Sequence, residues 1–398
     1  MDLIGWVIFL VALLFSVMLH ETGHFVLAKK FGMKATRYFV GFGPTIWSTK
    51  RGETEYGIKA LPLGGFVKII GMHSLDDVDD PADEPRSFRR KPGWQRILVL
   101  CAGSATHFAL AFLLIFSLAL GIGIENQNTT QLGTISQCVA ANTSQLNTGT
   151  CTASDKVSPA KRAGLRTGDQ VTAFNGTPVS NWTQLGNLIR KAPAGSTAAI
   201  TVKRDGKPLT LHATLASVSG RSGSYLGIAP TVVFQVANPI RAAQYAGSAF
   251  GQVIVGSAKA VAALPGALPK LFSKDRGATA AGQVSSVVGA AEATGAAVAA
   301  NVGWQYKVSF VLLLIASLNI FVGVFNMLPL LPLDGGHVAV VVWERIRAWF
   351  ARLRKRPDPG LVDMAKLLPV SFSIFMVLMF FGVVLVLADI VNPVNIAG

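Results

Sequence analysis

One short run near the N-terminus has the residue types and spacing of a catalytic metal site. His20 and His24 are four residues apart in His-Glu-Thr-Gly-His, so a helix places both imidazoles on one face, where they can share a metal ion. Glu21 between them can act as a general base on metal-bound water. An accidental match is the alternative. The run lies in a long apolar segment, where ionisable side chains are costly and by default mark function.

The composition favours a membrane protein. Only 14% of the 398 residues are charged and the mean hydropathy is +0.46, which is too apolar for a soluble enzyme of this size. Four apolar stretches are long enough to cross a hydrocarbon core of roughly 30 Å, which takes about 20 helical residues. The first has no basic residue ahead of it, which argues against a signal peptide. We predict transmembrane helices in residues 1–27, 97–124, 308–333 and 367–391.

The placement of basic residues predicts the orientation. The net charge is +15, and Lys and Arg cluster in residues 28–96 and in a predicted basic loop, 334–366. By the positive-inside rule both segments are cytoplasmic, which places both termini and residues 125–307 outside. A charge surplus placed in this way is typical of a membrane protein surrounded by lipid, so we expect no nucleic-acid partner.

The segments between the predicted spans have different patterns. Residues 28–96 contain β-like runs around Leu-Pro-Leu-Gly-Gly (61–65), which predicts a small cytoplasmic β-region and a loop. Residues 125–235 alternate strand-like runs with glycine turns, which indicates a compact α+β domain. Residues 236–307 are rich in Ala, Gly and Val with spaced cations, which favours amphipathic helices on the outer membrane surface. A single fifth span there would reverse the charge rule, so this segment provides no span or two.

A catalytic zinc site needs three protein ligands and an open position for water. Asp334 is the best third ligand, because it follows the apolar run of the third predicted span. The predicted orientation places it at the depth of His20 and His24. An ordinary carboxylate at a helix end is the alternative. His337 is a rival ligand, for which a supporting role is favoured, and His107 in the second span is expected to make an interhelical hydrogen bond.

Three further residues allow two interpretations each. Asn326, near the end of the third span, can hydrogen-bond substrate backbone or cap the helix, and the sequence leaves the two equal. Cys138 and Cys151 lie in the outer segment, where an oxidising compartment permits a disulfide. Two free thiols are the alternative.

These motifs resemble those of the site-2 protease family, in its RseP-like branch with a PDZ domain, over nearly the whole chain. His-Glu-Thr-Gly-His is similar to the family's HExxH, and residues 326–336 are similar to its NxxPxxxxDG. The resemblance implies that His20, His24 and Asp334 bind Zn²⁺ and that Glu21 is catalytic. Residues 158–169 resemble a PDZ domain, and the paired cysteines resemble those of actinobacterial members.

The resemblance also implies a substrate and a way to hold it. A membrane-dipping β-element around Gly64, Gly65 and Phe66 would bind the substrate as an extended strand, since a helical substrate must unwind before hydrolysis. The implied substrates are single-span membrane proteins already trimmed by another protease, such as anti-sigma factors in stress signalling, with remnant signal peptides as a further class. The PDZ domain would exclude bulky ectodomains; anchoring a partner or stabilising the fold is the alternative.

The expected fold is a polytopic α-helical membrane protein with four transmembrane helices, a small cytoplasmic membrane-associated β-region and an extracytoplasmic α+β PDZ domain, in the plasma (inner) membrane. Residues 103–107, Gly-Ser-Ala-Thr-His, depart from the family's GPxxN run. An ion transporter and a membrane-tethered scaffold with a vestigial metal site are the alternative functions. Neither explains Glu21 between two ligands at the depth of Asp334.

Overall fold

Apolar helices and one β-hairpin form the first of two structural units. A computed structural model describes residues 3–72, 80–125, 129–140, 151–219, 223–231, 233–272, 285–300 and 302–392. The first unit contains Met1–Ser117 and Ala242–Val394, and the second contains Leu118–Arg241. The helices are α1 (Leu3–Lys30), α2 (Gly93–Gly121), α3 (Pro159–Arg162), α4 (Trp182–Lys191), α5 (Pro239–Leu271), α6 (Val287–Ala299), α7 (Trp304–Asn326), α8 (Asp334–Leu353) and α9 (Leu368–Val391).

Within the described ranges, five helices are long and apolar enough to cross a membrane. Four of them, α1, α2, α7 and α9, coincide with the predicted spans, although α7 ends at Asn326 rather than at residue 333. The fifth candidate, Pro239–Leu264 of α5, lies in the segment for which surface helices were expected. Length and composition therefore allow one more span than the sequence analysis predicted.

Helices α1, α2 and α7 pack together at the level of their polar residues. α1 and α2 run antiparallel, and Gly23 lies against Ala102 so closely that an added Cβ would be 2.6 Å from the Ala102 carbonyl oxygen. α7 meets α2 where Asn319 hydrogen-bonds His107. Small residues at such crossings let apolar helices approach until their backbones touch.

The segment after the second unit differs from the prediction of helices at the membrane surface. α6 buries five of its 13 residues and crosses α1 where Gly295 meets Gly5, with an added Cβ at Gly5 only 2.5 Å from the Gly295 Cα. Its N-terminus is capped by Asp389 of α9, whose Oδ2 accepts from the Ser286 N–H at 2.6 Å. Small side chains allow this burial. The charge pattern does not predict it, because these side chains carry no charge.

The predicted basic loop 334–366 is also corrected, because its first part is the helix α8. The basic residues of this segment were used only to predict which side of the membrane it occupies. Its apolar residues recur with helical spacing, and Val341, Glu344 and Ala348 are buried. The buried Glu344 carboxylate accepts a hydrogen bond from Arg96 at 2.7 Å. This ion pair joins α8 to α2.

The predicted β-region is a hairpin of β1 (Ala35–Arg51) and β2 (Thr54–Ile69). The strands are antiparallel, and residues 37–40 have partners in two parts of β2, 55–58 and 65–68. Residues 65–68 therefore lie at an edge of this folded hairpin. Phe39 stacks on Phe66 with ring centroids 5.7 Å apart, which orders the strand that carries Leu-Pro-Leu-Gly-Gly.

The second unit is an α+β fold. Its strands are β3 (Ile124–Glu125), β4 (Leu132–Ile135), β5 (Gln170–Phe174), β6 (Thr177–Pro178), β7 (Thr197–Arg204), β8 (Lys207–Thr214), β9 (Ile228–Pro230) and β10 (Phe234–Gln235). They form a four-stranded sheet in the order β6-β5-β7-β8 and the pairs β4–β9 and β10–β3. Leu185 and Ile189 of α4 belong to the same core cluster as Val171, Ile200 and Val202 of the sheet.

Two polar features fix loops of this unit. Arg204 donates two hydrogen bonds of 2.7 Å to the buried Asp169 carboxylate. Burial alone would raise the pKa of that carboxyl, but the hydrogen bonds from Arg204 and from the Arg166 backbone N–H hold the pKa below its usual range. Cys138 and Cys151 form a disulfide with Cα atoms 5.9 Å apart.

Candidate metal centre

The two histidines of His-Glu-Thr-Gly-His lie on the buried side of α1. The Nδ1–H of His24 donates to the Val99 carbonyl oxygen of α2 at 2.7 Å, because a carbonyl only accepts. The Nε2 lone pair of His24 is therefore free for a metal. It lies 3.1 Å from Nε2 of His20, as the i, i+4 spacing predicts.

Asp334 reaches these imidazoles from a sharp turn between α7 and α8. It is the first residue of α8, not the end of the third predicted span. Gly335 makes this possible, because an added Cβ there would be 2.4 Å from backbone atoms of Met327 and Leu328. The turn thus folds back on itself and brings the carboxylate to α1.

The three side chains have the spacing of ligands around one metal ion. Asp334 Oδ2 is 3.3 Å from His20 Nε2 and 3.5 Å from His24 Nε2. Zn²⁺ with tetrahedral bonds of about 2.0–2.1 Å holds its ligand atoms about 3.3–3.4 Å apart, so the donor set fits zinc. Asp334 Oδ2 is buried and forms no hydrogen bond with any residue that the structure describes. A buried carboxylate oxygen without a hydrogen bond is what a metal ligand requires.

Gly103 of α2 provides the space for both imidazoles. An added Cβ would lie 2.4 Å from His24 Nε2 and 2.5 Å from His20 Cε1. In the sequence, this glycine stood out only as the first residue of 103–107, which differ from the GPxxN run of the family. The sequence does show a glycine four residues before His107. It does not show that this glycine lies against His20 and His24, because that contact depends on helix packing.

Glu21 turns away from the ligand pair toward the hairpin. An added Cβ at Gly65 would be 3.3 Å from Glu21 Cγ, and the backbone N–H of Val67 interacts electrostatically with the Glu21 carboxyl group. Tyr38 of β1 fixes the same face of α1, since its hydroxyl lies 2.9 Å from Thr22 Oγ1 and donates to the Met18 carbonyl. The general-base candidate therefore lies between the ligands and the edge of β2.

Comparison with known sequences agrees with this geometry. A sequence profile described as Peptidase family M50 matches residues 8–357. The chain belongs to peptidase family M50. It is 37% identical over 408 residues to the zinc metalloprotease Rip1 of Mycobacterium tuberculosis, with 98% of each chain covered. It is also 37% identical over 411 residues to the protein of that name from Mycolicibacterium smegmatis, with 99% of this chain and 98% of the relative covered. Membership of this site-2 protease family makes the chain a metalloprotease.

The other candidates of this M50 chain occupy varied positions. Gly64 and Gly65 lie on β2, where Gly65 adjoins Glu21 and Gly64 adjoins Phe42, whereas Phe66 is half-buried and packs within the hairpin. Asn326 is the last residue of α7. Among the described residues, the only cluster that could bind a metal is His20, His24 and Asp334; His337, one turn along α8, is not in it.

A buried polar group next to the ligands was only partly predicted for the M50 chain. His107 Nδ1 lies 2.8 Å from Asn319 Oδ1, which confirms the predicted interhelical hydrogen bond. Ser16 Oγ lies 3.1 Å from the same nitrogen and also donates to Asn319. Ser16 and Asn319 were missed, because a lone polar residue in an apolar helix gives no indication of its partner.

Proposed function

We propose that this M50 metalloprotease is an intramembrane endopeptidase in which His20, His24 and Asp334 bind zinc and Glu21 is the general base. One observation carries the proposal. Three donor atoms 3.1–3.5 Å apart lie where the apolar helix α1 meets the first residue of α8, beside a carboxylate that faces a strand edge. Bound zinc would polarise the scissile carbonyl and acidify a water molecule.

The chain's own groups account for the proton transfers. Glu21 accepts a proton from the attacking water as the carbonyl carbon gains an oxygen, and it gives that proton to the amide nitrogen as the C–N bond breaks. The backbone of β2 at Gly65 adjoins the Glu21 side chain. Tyr38 holds the α1 turn that carries the base.

The substrate would bind as a strand at the edge of β2. Residues 65–68 pair with residues 37–40 on one side, and the other side leads to Glu21 through Gly65 and Val67. An extended peptide added there gains backbone hydrogen bonds and presents its bonds in unwound form. We therefore assign Gly64 and Gly65 to backbone contact, Phe66 to ordering the edge and Asn326 to a polar contact with the substrate.

We propose four spans, α1, α2, α7 and α9. Phe250 of α5 packs against Phe108 and Phe112 of α2 with ring centroids 5.8 and 6.5 Å apart. The last residue of α5, Leu271, accepts a hydrogen bond from Asn392 beyond the end of α9. The contact of the last residue of α5 with the end of α9, and the hydrogen bond from Ala237 just before α5 to Ala119 near the end of α2, support an α5 that stays on the outer side. The positive-inside rule then places the hairpin and α8 in the cytoplasm and the termini outside.

The second unit is proposed to be a PDZ domain outside the membrane that restricts the substrates. Its α+β core and the Asp169–Arg204 pair form a rigid body next to two predicted spans in sequence. Substrates would be single-span membrane proteins of the anti-sigma factor type after a first cut, together with remnant signal peptides. A variant without residues 132–216 is expected to cleave untrimmed substrates as well; unchanged selectivity would contradict the filter.

The catalytic proposal is tested with Glu21→Gln in proteoliposomes that contain a single-span substrate. The variant should bind one zinc, as elemental analysis measures, and should lose cleavage, since the amide cannot accept the proton. Glu125→Gln removes an exposed carboxyl group of the second unit and should leave both quantities unchanged. Cleavage at the wild-type rate by Glu21→Gln would refute the assigned base.

A further inference from the structure

α8 has an exposed apolar face opposite the face that packs in the unit. Val341, Glu344 and Ala348 are buried. Six apolar side chains on the other side are 40–61% exposed: Val342, Trp343, Ile346, Trp349, Phe350 and Leu353. At 3.6 residues per turn these six occupy an arc of about 120°. We call them the exposed face of α8.

Arginines border this exposed face on both sides. Helical spacing places Arg345 and Arg352 along one border and Arg347 and Arg354 along the other. Among the residues that the structure describes, none of the four forms an ion pair. Arg347 donates to the Pro359 carbonyl, and the neighbouring Glu344 is already paired with Arg96. The border is thus a double row of cations that have no ion-pair partner within the described part of the chain.

An apolar arc with cations on both borders matches the interface of an acidic membrane. Apolar side chains enter the acyl boundary while arginines reach the headgroups, and tryptophan is enriched at this depth. An acidic protein would match the cations but not two exposed tryptophans between them. We propose that the exposed face of α8 binds anionic phospholipid headgroups of the adjacent leaflet.

Such binding would act on the catalytic centre, a consequence that rests on the proposed function. Asp334 is the first residue of α8, and the Arg96–Glu344 pair holds the same helix against α2. A lipid that fixes the orientation of α8 thereby fixes the carboxylate ligand. Anionic lipid is expected to raise the cleavage rate without contacting the substrate.

The test measures lipid binding directly on the purified full chain in detergent. Fluorescent phosphatidylglycerol is titrated and competed with unlabelled phosphatidylglycerol or phosphatidylcholine. Each cation near an acidic surface contributes about fivefold in affinity, so Arg352→Gln with Arg354→Gln should weaken binding about 25-fold. Lys50→Gln with Arg51→Gln removes the same charge from the exposed hairpin turn and should have little effect.

Three results would overturn the lipid proposal. They are equal binding of phosphatidylcholine, an equal loss in the hairpin control, and self-association of the full chain that the Arg352/Arg354 variant abolishes. Because the titration contains no substrate, its result does not depend on the proposed protease function. A cleavage assay in vesicles with and without phosphatidylglycerol then tests the coupling to Asp334.

A separate observation concerns His20. Its Nδ1 is buried and has no hydrogen-bond partner among the described residues, whereas the equivalent nitrogen of His24 donates to Val99. A histidine that binds metal through Nε2 carries a proton on Nδ1 and almost always donates it to an acceptor. The ring of His107 lies next to it, with centroids 5.0 Å apart.

The hydrogen bonds of Asn319 fix the tautomer of His107. Asn319 Nδ2 donates to the Ile315 carbonyl at 2.8 Å, so its Oδ1 is the atom that faces His107 Nδ1. Because Oδ1 only accepts, His107 carries its proton on Nδ1 and keeps a lone pair on Nε2. We propose that His107 is a positioning residue that accepts from His20 Nδ1–H, directly or through one water molecule.

The test is zinc affinity, measured by competition with a chelator on the full chain. His107→Leu should weaken binding by about 10- to 100-fold. His107→Gln, whose oxygen reaches the place of Nε2, should recover most of the affinity, whereas the shorter His107→Asn should not. A role in packing alone predicts no difference between Gln and Asn, so equal values for these two would overturn the proposal.

Ser104 provides the matched control. Its hydroxyl is buried without a partner one residue from Gly103, which makes it the rival acceptor. Ser104→Ala should leave zinc affinity unchanged. A loss as large as that of His107→Leu would transfer the role to Ser104 and refute the assignment of His107.

Discussion

Replacing Gly103 by alanine tests whether α2 confines the proposed zinc ligands. The new methyl carbon would lie 2.4 Å from His24 Nε2, 2.5 Å from His20 Cε1 and 2.7 Å from His20 Nδ1. Ordinary van der Waals contact begins at 3.4 Å. The His24 ring or α2 must therefore move by about 1 Å to accommodate the methyl group. Catalytic groups displaced by about 1 Å lose roughly 100-fold in rate.

The assay separates metal loss from misfolding. Zinc per chain is measured by elemental analysis, cleavage is measured in proteoliposomes, and thermal unfolding reports folding. Gly251→Ala is the control, because no atom lies within 4 Å of an added Cβ there and alanine favours a helix by about 1 kcal/mol. We expect Gly103→Ala to lose zinc and at least 100-fold in rate. Wild-type zinc content and rate in this variant would refute the reasoning.

Three further predictions concern stability. Glu344→Gln leaves Arg96 buried without its counter-charge, which should cost about 3–5 kcal/mol and lower the thermal unfolding midpoint of the full chain; an unchanged midpoint would contradict the packing of α8. The stability due to Asp169 is complete above the unfolded pKa of about 3.9 and is lost as pH falls through the lower folded pKa, so acid should lower the hydrogen-exchange protection factors of β7, measured against the intrinsic rate at each pH, and Asp169→Asn should abolish that dependence. Reduction of Cys138–Cys151 should destabilise the second unit by about 3 kcal/mol; equal unfolding with and without reductant would exclude this contribution.

Features that depend on residues close in sequence could be predicted, whereas contacts between helices could not. The ligand pair His20 and His24 follows from spacing within one helix. Asp334 was found by combining an apolar run with the charge rule, which compares depths without needing contacts. α8 was expected to be a loop because its arginines were interpreted only as topology signals, although the same residues have helical spacing. The burial of α6 includes a close contact between Gly5 and Gly295 that no local pattern reveals.

The contacts that complete the centre are made by the backbone atoms of glycines, which explains why residue type alone did not identify them. Gly103 faces two imidazoles, and Gly335 faces the carbonyls of its own turn; in both cases the absent side chain is the functional feature. A sequence with 40 glycines does not say which of them adjoin another backbone. Helix packing decides this, and the packing is in turn stabilised by the polar triad Ser16, His107 and Asn319 one turn from His20. The centre is therefore determined by how α1, α2 and α7 cross, and substitutions at these crossings should alter zinc binding without touching a ligand.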